Sequence, residues 1–452
     1  MASAAEQLAA NLNFGAFARA KELQKRLLFT LFVLIIYRVG TYIPMPGVDP
    51  DVFANAFAQQ EQGILGVFNM FSGGAVERMA IFALNVMPYI SASIIMQLMA
   101  ATVPSLERLK KEGGEQGRKQ INQYSRYLTV VLAALQAFAI AISMENPDPT
   151  TGATIAIDPG WFFRITAVVS LVGGTMMLLW LGEQITARGV GNGISLIIFA
   201  GIIAEMPRAL FQTLEQGRTG NLEAGLIIAM ILGIIAVLVF VVFMERAQRR
   251  LLVQYPKRQV GNRMTGGESS FLPLKLNTSG VIPAIFASSL LLLPTTVASF
   301  AAAEGGDGIM ATIAIYLGHG RPLFMILYAG LIIFFAFFYT AIVFHPSETA
   351  DNLKKHGGFI PGIRPGERTA DYIDYVLTRV TVIGAAYLTV VCLIPEFLIS
   401  YAALPFYLGG TSLLIVVTVT MDTVAQVHGH LMAHQYEGLV KKAKLKGARR
   451  NR

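Results

Sequence analysis

Residues 63–104 read GILGVFNMFSGGAVERMAIFALNVMPYISASIIMQLMAATVP. A short apolar segment breaks at Ser72-Gly73-Gly74, carries the Glu77-Arg78 pair, and then enters a membrane-length hydrophobic run. That run contains Asn85, Pro88, Tyr89, Ser91, Ser93 and Gln97, none of which a lipid-facing anchor needs. An apolar segment too short to span, hinged by glycines to a spanning helix, fits a re-entrant or lumen-filling element. It fits equally a surface helix outside the membrane followed by an ordinary packed span. In either case Asn85 and Gln97 in hydrocarbon need partners, from a neighbouring helix or a water-filled path.

The rest of the chain supplies the membrane. Of its 452 residues, 54% are hydrophobic and 14% charged, where a soluble domain carries roughly a quarter of its residues as charged side chains. Ten runs are long enough to cross about 30 Å of hydrocarbon. They lie near 27–43, 80–101, 126–144, 162–182, 191–211, 222–244, 279–299, 322–344, 376–399 and 405–427. No small-residue cleavage site follows the first run, so it reads as a retained span.

Charge placement orients these runs. With the N-terminus inside, the alternate inner segments hold 30 of the 36 basic residues, and the outer connections collect Asp49, Asp51, Glu61, Glu145, Asp148, Asp158, Glu304 and Asp307. The positive-inside rule then puts both termini in the cytoplasm, in agreement with an even number of spans. The tail after 427 is basic and suits an anionic membrane surface.

Two inner connections are long. In residues 245–280, LLVQYP suits a short strand or hairpin limb beside RQVGNRM. In residues 345–379, Gly357-Gly358, Pro361, Gly362, Pro365 and Gly366 make a tight reversal that presents Arg364 at a tip. Both read as docking surfaces for something anionic, protein or RNA; the plainer alternative is solvated loops whose charges set orientation. Arg38, near the outer end of the first run, is expected to snorkel to the interface rather than pair with an acid from another helix.

Several chemistries drop out. The single cysteine, Cys392, excludes internal disulfides, and His428, His430 and His434 have no cysteine or acidic cluster beside them to make a metal site. The glycine-rich GVGNG at 189–193 lacks the preceding strand and the lysine of a phosphate loop, so close helix packing explains it better, with Asn192 free to bond across a helix interface. There is no nucleophile-and-base set, no intramembrane carboxylate pair and hardly any mid-span ionisable residue. A conduit with an apolar constriction needs none of these, because a collar of branched side chains blocks water and ions by dewetting and close contact. Val86, Ile90, Ile194, Ile198, Ile285 and Ile415 are candidates for such a collar.

Taken together, FNMFSGGA at 68–75, MPYISASIIMQL at 87–98, GNGISLIIFAG at 191–201, GVIPAIFASS at 280–289, ADNLKKHGGFIPGIRPGERTADYI at 350–373 and GGTSLLIVVTVTMD at 409–422 resemble the SecY family of protein-translocation channels. The resemblance covers nearly the whole chain. It implies an all-α polytopic protein of ten transmembrane helices, in two pseudo-symmetric halves of five (1–211 and 222–427) around an hourglass pore. Cytoplasmic loops 245–278 and 345–375 and a tail 428–452 complete this layout. Segment 61–75 is then expected to be a plug, with Ile64, Leu65, Gly66, Val67, Phe68, Asn69, Met70, Phe71 and Ser72 as its body. The six collar residues become a pore ring, in which Val86 departs from isoleucine by one methylene.

By the same resemblance, spans 2, 3, 7 and 8 line a lateral gate, where Gln97, Asn192, Ser288 and Ser289 supply polar groups. Arg364, Lys257, Arg258, Arg263, Lys354 and Lys355 meet cytoplasmic partners, although position 262 is Asn where relatives often carry arginine. The implied function is a protein-conducting channel in a bacterial inner membrane, neither an enzyme nor a cofactor protein. Its implied partners are the SecE and SecG subunits, the SecA ATPase or a ribosome with its nascent chain, signal sequences and hydrophobic substrate segments, membrane lipids, and accessory Sec subunits or an insertase. The competing reading is a ten-span ion-coupled secondary transporter, which requires a mid-membrane binding cluster that the sequence does not display.

Overall fold

The structure is a computed structural model that describes residues 20–50, 52–54, 57, 64–145, 154–219, 224–255, 258–260, 263–265, 269–291, 321–402 and 410–450. In chain order its helices are α1 (Lys21–Gly40), α2 (Ile64–Ser72), α3 (Met87–Thr102), α4 (Pro104–Glu112), α5 (Gly114–Glu145), α6 (Trp161–Arg188), α7 (Gly193–Arg218) and α8 (Ala224–Arg246). After a small β-element come α9 (Ile282–Leu291), α10 (Pro322–Val343), α11 (Pro346–Lys355), α12 (Glu367–Ala402) and α13 (Gly410–Arg450). The chain is an all-α polytopic membrane protein. Among the described residues, seven helices are long and apolar enough to cross a membrane, and an eighth if the bent pair α3–α4 counts as one span.

The difference from ten runs arises at three places. Helix α1 carries Lys25, Arg26 and Arg38 among its apolar residues, so it is less hydrophobic than its neighbours. It begins at Lys21, six residues before the expected start at 27. The run at 279–299 is described only as far as Leu291. The run at 80–101 is not one helix. Its first residues are irregular backbone, with Met79 and Asn85 both at positive φ, and helix starts only at Met87. Pro88 lies in the first helical turn, where its missing N–H costs nothing and its fixed φ suits a helix start. Extended Val103 before Pro104 ends the same helix, and α4 leaves it at 99°.

Helices α5 and α6 form a long antiparallel hairpin. Small residues on α5, Ser125, Thr129, Ala133, Ala137 and Ala141, recur every fourth position and are buried, which lets the backbones approach closely. Phe163, Ala167 and Leu171 of α6 pack over this stripe, and Met45, Val48, Val76, Met79 and Leu84 close the cluster at one end. The larger core joins α1, α3, α6, α7, α9, α10, α12 and α13 around Tyr37, Phe82, Leu178, Ile197, Ile202, Ile332, Leu388 and Leu414. Turn 41–48, with its two prolines, lies along this core outside any helix: Met45 N donates to Met79 O at 2.9 Å and Ile81 N to Ile43 O at 3.0 Å.

The connection after α8 is a β-element rather than a plain loop. Strand β1 (Gln248–Gln254) pairs antiparallel with β4 (Ser269–Lys275), while β2 (Arg258–Val260) and β3 (Arg263–Thr265) pair with each other. The strand expected at LLVQYP therefore exists, but its partner is SSFLPLK and not RQVGNRM. The alternation favours this register, since Leu251 and Val253 of β1 and Leu274 of β4 are buried while the residues between them are not.

Candidate pore constriction and plug

Four elements bring branched side chains to one place. Val86 lies just ahead of α3, Ile90 on its first turn, Ile198 on α7, Ile285 on α9 and Ile415 on α13. All five line a single small void, together with Phe71, Asn85, Met87 and Ser288, and it has room for about one water molecule. The surface it exposes is apolar throughout. Ile194 stands apart. It sits at the start of α7 and packs over Gly182 of α6, where an added Cβ would lie 3.0 Å from Ile194 Cγ1.

Phe71 brings the preceding helix into the same void. Helix α2 covers Ile64–Ser72, the residues expected to form a plug, and it ends in a densely bonded turn. Asn69 organises that turn: its carbonyl accepts from Gly74 N at 2.9 Å and Ser72 Oγ at 3.0 Å, and its Oδ1 accepts from Glu77 N at 2.9 Å. Gly66, Asn69, Met70, Phe71 and Ser72 are buried. The side chains of Ile64, Leu65, Val67 and Phe68, and residues 61–63, lie outside the described residues.

Three further elements seat this segment. Tyr37 Oη of α1 donates to Ser72 O at 3.0 Å, and the Arg38 guanidinium donates to Gly73 O. Arg38 also lies 5.0 Å over the Tyr42 ring, so instead of snorkelling it bonds a buried backbone carbonyl. The Asn85 amide donates to Phe71 O. On the α7 side the contact is backbone to backbone, and it requires glycine: a Cβ on Gly201 would stand 2.6 Å from Phe71 O and 3.2 Å from Gly73 N.

A charge cluster follows. Arg208 of α7 grips Glu77 with both guanidinium nitrogens, Nη2 to Oε1 at 2.8 Å, and Arg78 lies 4.2 Å over the Tyr42 ring. Burial alone would raise the Glu77 carboxyl. The Arg208 hydrogen bonds and charge, the Arg78 charge and Asn69 outweigh it and hold the group below its ordinary value.

The polar residues expected at a lateral gate do not bond one another. Gln97 Nε2 donates to Ser93 Oγ at 3.3 Å on its own helix. Asn192 caps α7, its Oδ1 accepting from Ile194 N at 3.2 Å and Ser195 N at 3.5 Å, rather than reaching across an interface. Ser288 Oγ donates to Ile285 O at 2.9 Å, and the buried Ser289 hydroxyl has no partner among the described residues.

At the far end of α8 and α10 the two long connections are joined. Gln254 and Phe359 exchange both backbone hydrogen bonds at 2.9 Å, and Leu251, Leu274, Ile360 and Ile373 form a common core beneath. Arg364 is exposed in the turn between Gly362 and Gly366, both at positive φ, and Lys354 and Lys355 are exposed on the last turn of α11. Arg258 and Arg263 lie on β2 and β3, with side chains outside the described residues, as is Lys257 altogether.

The SecY family model matches residues 80–424, a segment that includes every residue lining the void except Phe71. The chain belongs to the SecY family. It is 56% identical over 426 residues to "Protein translocase subunit SecY" of Escherichia coli (strain K12), covering 94% of this chain and 96% of that one. It is 54% identical over 425 residues to the protein of the same name from Rickettsia conorii, covering 94% and 97%. Among solved structures, one described by the plug domain of the SecY protein stabilising the closed state of a translocation channel superposes with a TM-score of 0.64 at 20% identity, over 90% of this chain and 92% of that one. Sec61 in the canine ribosome–channel complex gives 0.60 at 18% identity, over 90% and 92%. These superpositions show the shared fold. Sequence reading singled out Phe71 within the expected plug, Asn85 as a polar group in need of a partner, and Glu77 beside Arg78; the residue it missed is Arg208, the partner of Glu77.

Proposed function

We propose that this chain is the protein-conducting subunit of a translocase in a bacterial inner membrane, passing unfolded polypeptides outward and releasing hydrophobic segments sideways into lipid. The observation that carries the reading is the convergence of Val86, Ile90, Ile198, Ile285 and Ile415 from four elements on one void, with Phe71 of α2 set against it. Branched side chains around a passing chain act as a gasket, excluding water and ions without binding any one sequence. Segment 61–75 is the plug. It covers the ring when the channel is idle and leaves when a chain arrives. Ile194 is the sixth residue of the ring in this reading.

The full layout in this reading is ten spans in two halves, 1–211 and 222–427, with both termini, the joined loops 245–278 and 345–375 and the tail 428–452 in the cytoplasm. The inner surplus of Lys and Arg supports that orientation. Gln97, Asn192, Ser288 and Ser289 border the gate, through which an apolar segment gains roughly 25 cal/mol per Å² of surface moved from water to lipid. Arg364, Lys354, Lys355, Lys257, Arg258 and Arg263 receive the SecA ATPase or a ribosome, which supplies the driving force, and SecE and SecG complete the complex. The chain is a conduit and not an enzyme. Nothing favours the ion-coupled transporter, since the converging walls are hydrocarbon.

The test is a secretory precursor arrested in transit while a photoreactive residue replaces Ile90, Ile285 or Ile415 in turn. All three positions should cross-link to the arrested chain, and Val239, on the outside of α8, should not. Cross-links confined to one position, or equal at Val239, would contradict a central ring.

A further inference from the structure

One face of α7 carries Ile198, Gly201, Glu205 and Arg208, spaced alternately three and four residues apart, so they stack along one stripe of the helix. Ile198 lines the constriction, and Gly201 receives the backbone of Phe71 and Gly73. Arg208, two turns beyond Gly201, holds Glu77 in a two-pronged ion pair. Glu77 is itself tied back to the end of α2, because its backbone N–H donates to Asn69 Oδ1. The hydrogen-bonded path thus runs from α7 through Arg208, Glu77 and Asn69 into α2.

We propose that Glu77 and Arg208 form a latch, positioning residues that hold segment 64–72 against Gly201 and the ring, and whose separation accompanies its release. The proposal rests on the plug reading above. The pair is suited to the task. A bidentate guanidinium–carboxylate contact is directional, so it fixes where the turn sits as well as how tightly. Its side chains are not sealed in the packed core, 44% accessible for Arg208 and 21% for Glu77, so they part without opening that core. After parting, Arg208 keeps Glu205 one turn away and Glu77 keeps Arg78 beside it. Arg38, the remaining cation of the cluster, bonds Gly73 O and keeps the hinge in place.

Hydrogen–deuterium exchange of peptides covering 64–72, in the intact complex, reads seating directly. Glu77→Gln and Arg208→Gln should each speed exchange roughly tenfold, as loss of a charged hydrogen-bonded pair implies. The Glu77→Gln/Arg208→Gln double variant should be no faster than either single one, because the interaction is lost only once. Arg208→Lys should fall between. Unchanged exchange in the single variants, or effects that multiply in the double one, would overturn the latch. A variant that fails to fold is replaced by salt. Raising KCl from about 0.1 to about 1 M shortens screening from roughly 10 to roughly 3 Å, and should speed exchange in the parent but not in the double variant. Exchange reports seating alone. Conductance after deletion of 64–72 reports whether the segment seals, so the latch and the plug can fail separately.

Discussion

The side-chain amide of Asn85 donates to the backbone carbonyl of Phe71, while Asn85 Oδ1 accepts from Val86 N at 2.8 Å. One buried side chain thus couples the last turn of α2 to Val86, which lines the void. Asn85 adopts φ +50°, a left-handed conformation that asparagine tolerates better than most residues. The same residue therefore sets the irregular backbone that delivers Val86 to the constriction and reports whether α2 is seated there.

Replacing Asn85 separates these two roles. Asn85→Gly keeps the positive φ and loses the amide, so it should loosen α2 while leaving the α3 start intact. Asn85→Ala loses both and should cost about 1–2 kcal/mol more, the penalty of a left-handed non-glycine residue. Thermal unfolding of the two purified variants ranks them, with Asn85→Ala the less stable. Equal stability would mean that the backbone conformation carries no strain.

Gly201→Val should displace α2, because even a Cβ there falls 2.6 Å from Phe71 O. Protease sensitivity within 64–72 should rise severalfold in the intact complex. Gly233→Val on α8, where an added Cβ has nothing within 4 Å, is the control and should leave it unchanged.

The Glu77 carboxyl is held below its ordinary value in the folded chain. Its contribution to seating is therefore complete above the ordinary glutamate range and is lost as pH falls through the depressed folded value. The exchange difference between the parent and Glu77→Gln should be constant near neutrality and vanish in acid. A difference that grew on acidification would reverse the sign and contradict the pairing.

Phe359→Pro removes the N–H that bonds Gln254 O and should unzip the two cytoplasmic connections. Trypsin should then cut at Lys355 and Arg368 several times faster, and binding of the motor or ribosome should weaken. Arg364→Ala, at an exposed tip, should weaken binding without faster cleavage at Lys355.

Much of this was legible in the sequence, and the rest fails for identifiable reasons. Apolar run length marks α5, α6, α7, α10 and α12, because spanning helices obey a single-segment rule. Run length misread 80–101, where Pro88 signals a helix start and Asn85 a left-handed turn inside an uninterrupted apolar stretch. Periodicity found β1 but not its partner, since SSFLPLK contains a proline that an edge strand accepts. The collar candidates lie far apart in the chain, so the sequence offered them as branched residues able to form a constriction, and the family resemblance assigned them to one ring. The Glu77–Arg208 pair spans 131 residues, so only the packed backbone reveals which partner Glu77 takes.

The most direct test of the central claim is single-channel conductance in planar bilayers. It compares the purified complex with one lacking residues 64–72 and one carrying Ile90→Asn and Ile285→Asn. A plugged, ring-sealed conduit predicts rare openings in the intact complex and frequent, large ones in both variants. Silent traces from all three proteins, each shown to be folded and inserted, would contradict the account.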